Sequence, residues 1–170
     1  MRVAVICFVI ATIVLGLFQE RIKISINFNL KSASLIDDYG SLDAQSRMRA
    51  IQKLKIGRPY DYYYSHDSVD FLCILEVKEL SALKWLASLL FVFTHLCFGL
   101  WLLKALRLKM CKWLVQGYVL LFGSAALVYL IGVVLGVDFY HLARRVVGFL
   151  QSPLPVIILV VISKIDSNDG

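Results

Sequence analysis

Residues 85–136 read WLASLLFVFTHLCFGLWLL, then KALRLKMCK, then WLVQGYVLLFGSAALVYLIGVVLG. Two uncharged apolar runs, Trp85–Leu103 and Trp113–Gly136, flank a short basic connector. A helix of about 20 apolar residues crosses the hydrocarbon of a bilayer, and both runs have that length. Trp85, Trp101 and Trp113 lie near the run ends, where indole rings sit at headgroup level. The connector carries Lys104, Arg107, Lys109 and Lys112 and no acid, a bias that marks the cytoplasmic side. The stretch therefore predicts a helical hairpin in a membrane with its turn inside.

Working outward, Val3–Phe18 is a shorter apolar run. Gln19-Glu20-Arg21 follows it instead of a small-residue cleavage site, so it reads as an uncleaved anchor rather than a signal peptide. The last run, residues 146–163, is interrupted by Gln151, Ser152, Pro153 and Pro155. Each proline lacks a donor and displaces a carbonyl one turn earlier, at Phe149 and Gln151. In lipid those carbonyls need other partners. The run reads as a proline-kinked span packed on its neighbours, with its irregular turn as the sharper candidate for binding.

The expected fold is an all-α membrane protein with four transmembrane helices, at 3–18, 85–103, 113–136 and 146–163. Residues 19–84 form a small mixed extracytoplasmic loop region, 104–112 a cytoplasmic loop, 137–145 an interfacial segment and 164–170 a cytoplasmic tail. Both termini are then cytoplasmic. The ten Lys and Arg of residues 19–84 do not oppose this, because long loops cross largely regardless of charge.

Composition agrees. The chain of 170 residues is 59% hydrophobic, against about 45–50% for soluble domains, and its mean hydropathy is +0.76. Net charge is +6, but the basic residues gather at the ends of apolar runs. That placement suits headgroups and topology, with the lipid bilayer as partner, rather than nucleic acid. Cys7, Cys73, Cys97 and Cys111 match no zinc or redox spacing. Cys73 alone falls outside the cytoplasm, as the one candidate for an intermolecular disulfide.

Within 19–84, Ile22, Ile24, Ile26 and Phe28 alternate with polar residues, the period of a strand. Ser41–Lys55 predicts a helix, with Ser41 as N-cap and Leu42, Met48, Ile51 and Leu54 on one face. Gly57-Arg58-Pro59 ends it. Val69–Val77 is a second apolar stretch. The region is too short to build a large core of its own and is expected to lean on the membrane or a partner.

Candidate polar sites are few. His95 lies mid-span after Thr94, and Gln116 and Ser124 lie in the third run; intramembrane polar groups are functional candidates by default. A neutral His bonded to a hydroxyl across a helix pair is the plainer account. Gly132 and Gly136 form a small-xxx-small pair that can draw helices together. Asp138, His141, Arg144 and Arg145 precede the fourth span, where Phe139, Leu142, Val146 and Phe149 recur at helical spacing. Arg144 or Arg145 can bind a phosphate or carboxylate, or anchor by snorkelling. Asp61, His66, Asp67 and Asp70 offer metal-ligand chemistry without a known spacing. No serine triad, P-loop, zincin or dinucleotide fingerprint is present, so neither a cofactor nor an enzyme is expected.

Two stretches carry a family resemblance. One runs through Tyr60-Asp61-Tyr62-Tyr63-Tyr64-Ser65-His66-Asp67 to Leu80-Ser81-Ala82-Leu83-Lys84-Trp85. The other is Leu142-Ala143-Arg144-Arg145 followed by Phe149-Leu150-Gln151-Ser152-Pro153-Leu154-Pro155. Together they resemble the small membrane proteins encoded beside exosortases in Bacteroidetes, in particular the XrtX-associated membrane protein family. The resemblance covers the order of segments over most of the chain. It implies a non-catalytic accessory or scaffold of a protein-sorting system in the cell inner membrane, with an exosortase-like polytopic protease as partner. Exosortases carry a Cys-containing motif that this chain lacks, so it does not look like the enzyme. Arg144, Arg145, Gln151, Ser152, Pro153 and Pro155 are the expected partner-binding residues. The alternative is a small transporter or channel subunit with a path lined by His95, Gln116 and Ser124. A third reading is an intramembrane enzyme using Arg144, His141 or Cys73.

Overall fold

The computed structural model describes residues 2–56 and 70–168. They fold as six α-helices: α1 (Arg2–Ala33), α2 (Ala44–Ile56), α3 (Val77–Ala105), α4 (Cys111–Leu135), α5 (Tyr140–Leu150) and α6 (Leu154–Asn168), with 3-10 turns at Tyr39–Ser41 and Asp70–Ile74. Helices α1, α3 and α4 are each long and apolar enough to cross a membrane. The pair α5–α6, bent by 57°, is long and apolar enough to make a fourth crossing. The chain is a multi-pass α-helical membrane protein. It divides into two compact units, Met1–Leu15 with Ser88–Gly170, and Gly16–Ala87.

The first unit is the apolar bundle. Phe8, Val92, Leu102, Leu103, Leu114, Tyr118, Leu150 and Val156 form its core. Large apolar side chains also cover the outside: Ile10, Ile13, Leu90, Phe93, Leu120 and Val134 are all strongly exposed. Such a surface suits lipid, which is as apolar as leucine. Gly99 admits α6 closely, because a Cβ there would lie 2.5 Å from a Val156 methyl and 2.9 Å from one of Leu114.

The Gly132/Gly136 pair does a different task from the helix-pairing expected of it. Gly136 has φ +67° and caps α4, its N–H donating to the Gly132 carbonyl. Val137 N–H donates to the same oxygen at 3.0 Å. A Cβ on Gly132 would stand 2.7 Å from the Val137 carbonyl and 3.2 Å from Phe139 Cβ. The two glycines therefore build the reversal from α4 into α5, one through its left-handed backbone and the other by leaving room for the returning chain.

The second unit holds two small cores, Phe28, Ala33, Tyr39, Ile51 and Cys73 in one, and Ile26, Leu72 and Leu80 in the other. The strand expected at Ile22–Phe28 is a helix: α1 continues through it to Ala33, and no strand occurs among the described residues. Ile22 and Ile26 are four apart, as are Ile24 and Phe28, so the alternation fits a helix equally. Extending an existing helix avoids a second nucleation.

The N-cap of α2 is Asp43 rather than Ser41. Ser46 N–H donates to Asp43 Oδ1 at 3.1 Å. Hydrogen bonds from Ser46 hold the Asp43 carboxyl below the usual carboxylate range. At α3, the Glu76 N–H donates to the Glu79 carboxylate at 2.8 Å, one half of a capping box, and the helix starts eight residues before the expected Trp85.

Arg47 organises this unit. It is buried, and its guanidinium donates to the carbonyls of Tyr39, Gly40 and Ile74, each at 3.2 Å, and to Glu76 Oε1 at 3.3 Å. The same group lies 5.3 Å from the centre of the Tyr39 ring. Tyr39 Oη in turn donates to the Cys73 and Leu75 carbonyls at 3.3 and 3.1 Å. Burial pushes the Tyr39 phenol up, against the opposing pull of Arg47. The Cys73 thiol is fully buried, which removes it as a candidate for an exposed intermolecular disulfide. None of the four cysteines is in a disulfide.

Candidate functional site

The polar residues of the last run gather at the break between α5 and α6. Helix α5 ends because Gln151 N–H closes the last turn onto the Val147 carbonyl at 3.0 Å, and Pro153 cannot continue the ladder. Ser152 repairs the break: its hydroxyl donates to the Phe149 carbonyl at 2.7 Å and lies 3.3 Å from the Leu154 N–H. The Pro153 carbonyl accepts the first bond of α6, from Ile157 N–H at 3.1 Å. Pro155 then falls in the first turn, where a missing N–H costs no helical bond. The Phe149 carbonyl that proline was expected to orphan is thus satisfied from within its own turn.

Two neighbouring helices fasten the elbow. The Gln151 side chain is buried, and its Nε2 donates to the Ser88 carbonyl of α3 at 2.9 Å. Tyr118 of α4, also buried, donates its hydroxyl to the Leu150 carbonyl at 3.0 Å. Gln151, one of the expected partner-binding residues, has its amide turned inward onto α3. Tyr118 and Ser88 were not singled out in the sequence. The signal for Tyr118 was present, since a phenol deep in an apolar run needs an acceptor.

Arg144 and Arg145 stand on the opposite side. With His141 they form the exposed face of α5, while Ala143 and Leu150 face inward. Neither arginine makes a hydrogen bond or ion pair with a described residue. The nearest acid in sequence, Asp138, accepts the Tyr140 N–H at 3.0 Å.

This face lies beside a membrane span. Helix α5 packs along α4, with Phe139 against Gly132 at its start and Leu150 against Tyr118 at its end. At 1.5 Å per residue, α5 covers about 16 Å. The part of α6 up to Ile165 is inclined at 57° to it and adds about 10 Å in the same direction. With the three-residue break, residues 151–153, the pair approaches the ~30 Å hydrocarbon thickness.

The other intramembrane polar residues differ in exposure. His95 is buried, with Nδ1 2.9 Å from the Phe91 carbonyl of its own helix. Gln116 and Ser124 are exposed on α4, and Ser124 donates to the Leu121 carbonyl at 2.8 Å. Asp61, His66, Asp67 and the tyrosine cluster lie outside the described residues, as does the side chain of Asp70. No group of three or more His, Cys, Asp or Glu among the described residues could hold a metal ion. Comparison with protein-family models, with curated proteins and with solved structures finds no match to this chain.

Proposed function

We propose that this protein is an accessory or scaffold subunit of a membrane protein-sorting system, docking on a polytopic partner through the α5–α6 elbow. The observation that carries the reading is the construction of that elbow. Gln151, Ser152 and Tyr118 hold a 57° bend rigidly from inside. Outside, α6 presents the apolar ridge Leu154, Ile157, Ile158, Val161 and Ile162, with Arg144 and Arg145 on the neighbouring helix. A preformed bend with little left to order is suited to docking. The resemblance of Arg144–Pro155 to exosortase-associated proteins supplies the partner class, a polytopic sorting protease. The basic connector Lys104–Lys112 favours both termini on the cytoplasmic side and residues 19–84 outside; the resemblance implies the inner membrane of a bacterium.

The test is co-isolation in mild detergent from the native membrane. The expected result is recovery of one polytopic membrane protein with the wild type and its loss with Ile157→Gln/Val161→Gln. The reading fails if no such protein is recovered above a control of the same topology, or if the ridge variant retains it fully.

A further inference from the structure

The geometry points to Arg144 and Arg145 as a binding site for the phosphate of an anionic phospholipid, drawn from the leaflet at the Gly136 end of α4.

The depth of the two residues carries the argument. Helix α4 has 25 residues and is therefore about 38 Å long, some 4 Å longer at each end than a ~30 Å hydrocarbon core. Arg144 lies five residues along α5 from Phe139, which abuts Gly132, itself three residues from the end of α4. Its Cα is then about 12 Å inside that end and about 8 Å inside the hydrocarbon boundary. Both arginines are exposed there, next in sequence to exposed Leu142 and by the same rise level with exposed Leu127 of α4, with no acidic partner among the described residues. An unpaired guanidinium at that depth is costly.

Direction resolves the cost. The Cα–Cβ bonds of a helix tilt toward its N-terminus, and the N-terminus of α5 is the end beside Gly136. Both side chains therefore lean toward the nearer headgroups, and a snorkelling arginine reaches roughly 6 Å. That reach covers most of the depth to the hydrocarbon boundary, and local thinning of the bilayer brings a lipid phosphate inward to meet it. His141, one turn closer to the same end and also exposed, adds a third donor in line. Two guanidinium forks on one helix face match the oxygens of a phosphodiester. A carboxylate on a partner helix is the competing occupant, but it would have to be buried at the same depth. Headgroup phosphates are present along the whole rim.

The inference does not depend on the partner reading and is tested on the purified chain alone. Native mass spectrometry from detergent, with phosphatidylglycerol or phosphatidylcholine added, counts retained lipids. The wild type is expected to keep one more phosphatidylglycerol than Arg144→Gln/Arg145→Gln, whose affinity for that lipid falls about thirtyfold. Arg144→Lys/Arg145→Lys should retain most of it. Lys104→Gln/Lys109→Gln, at the other end of the bundle, should leave this lipid in place. Equal retention by wild type and the glutamine pair would overturn the site, as would equal affinity for the two lipids.

Discussion

Replacing Tyr118 by Phe should loosen the elbow by a predictable amount. The change removes one oxygen and leaves the ring, so the packing of Tyr118 in the bundle core is kept. What is lost is the 3.0 Å bond to the Leu150 carbonyl, whose residue is fully buried at the end of α5. In water-soluble proteins an acceptor left unpaired in this way costs about 1–3 kcal/mol. Between helices in a bilayer the measured average is nearer 0.6 kcal/mol, with a maximum of about 1.7. Because Pro153 prevents the helix from continuing past this carbonyl, the upper half of that range, about 1–1.7 kcal/mol, is expected. Gln151→Leu removes the second fastening, and the two bonds hold adjacent residues. The double variant should therefore depart from additivity by about 0.5 kcal/mol or more. Equilibrium unfolding in mixed micelles, followed by tryptophan fluorescence, measures all three. A Tyr118→Phe effect below about 0.3 kcal/mol, with strictly additive pairs, would refute the fastening.

Gly132→Ala should destabilise the bundle by about 1–3 kcal/mol through its clash with the Val137 carbonyl. Gly123→Ala, which meets nothing within 4 Å, should be neutral or stabilising by up to about 1 kcal/mol; the same unfolding assay separates them. Arg47→Met should strand three backbone carbonyls and cost the Gly16–Ala87 unit about 3 kcal/mol or more. Amide exchange across Tyr39–Ile56 would show it as lost protection. Asp43 has a lowered pKa, so its support of α2 is complete above the unfolded value near 3.8 and is lost as pH falls through the lower folded value. Exchange at Ser46 and Arg47 should rise in that acid range, and Asp43→Asn should abolish the pH dependence while keeping a cap.

The membrane fold was legible because it rests on composition and charge. Trp85–Leu103 lies within α3, and Trp113–Gly136 follows α4 to its capping glycine; bilayer thickness alone demands such lengths. The extensions were not legible. Nothing between Phe18 and Ile22 stops a helix, and only the tertiary burial of Ser25, Ile26 and Asn29 decides in favour of α1. The break was visible in Pro153 and Pro155, but its fastening depends on Ser88, 63 residues away in the chain, which no local pattern encodes. Arg47 is a similar case. On a helical wheel it is one cation among several in α2, and its burial follows from where the Tyr39 and Ile74 carbonyls arrive. Gly132 and Gly136 matched a pairing motif in spacing while serving a cap in geometry.

The account turns on α5 and α6 forming one broken crossing rather than a loop that returns to the side it entered. Single cysteines decide this, placed at Asp138 before α5 and at Asn168 at the end of α6. The background replaces Cys7, Cys97 and Cys111 by serine and buried Cys73 by alanine. A membrane-impermeant maleimide is applied to sealed, oriented vesicles. The account predicts labelling of the two positions from opposite faces, with Asn168→Cys on the face that also labels Lys109→Cys in the basic connector. Labelling of Asp138→Cys and Asn168→Cys from the same face would contradict it.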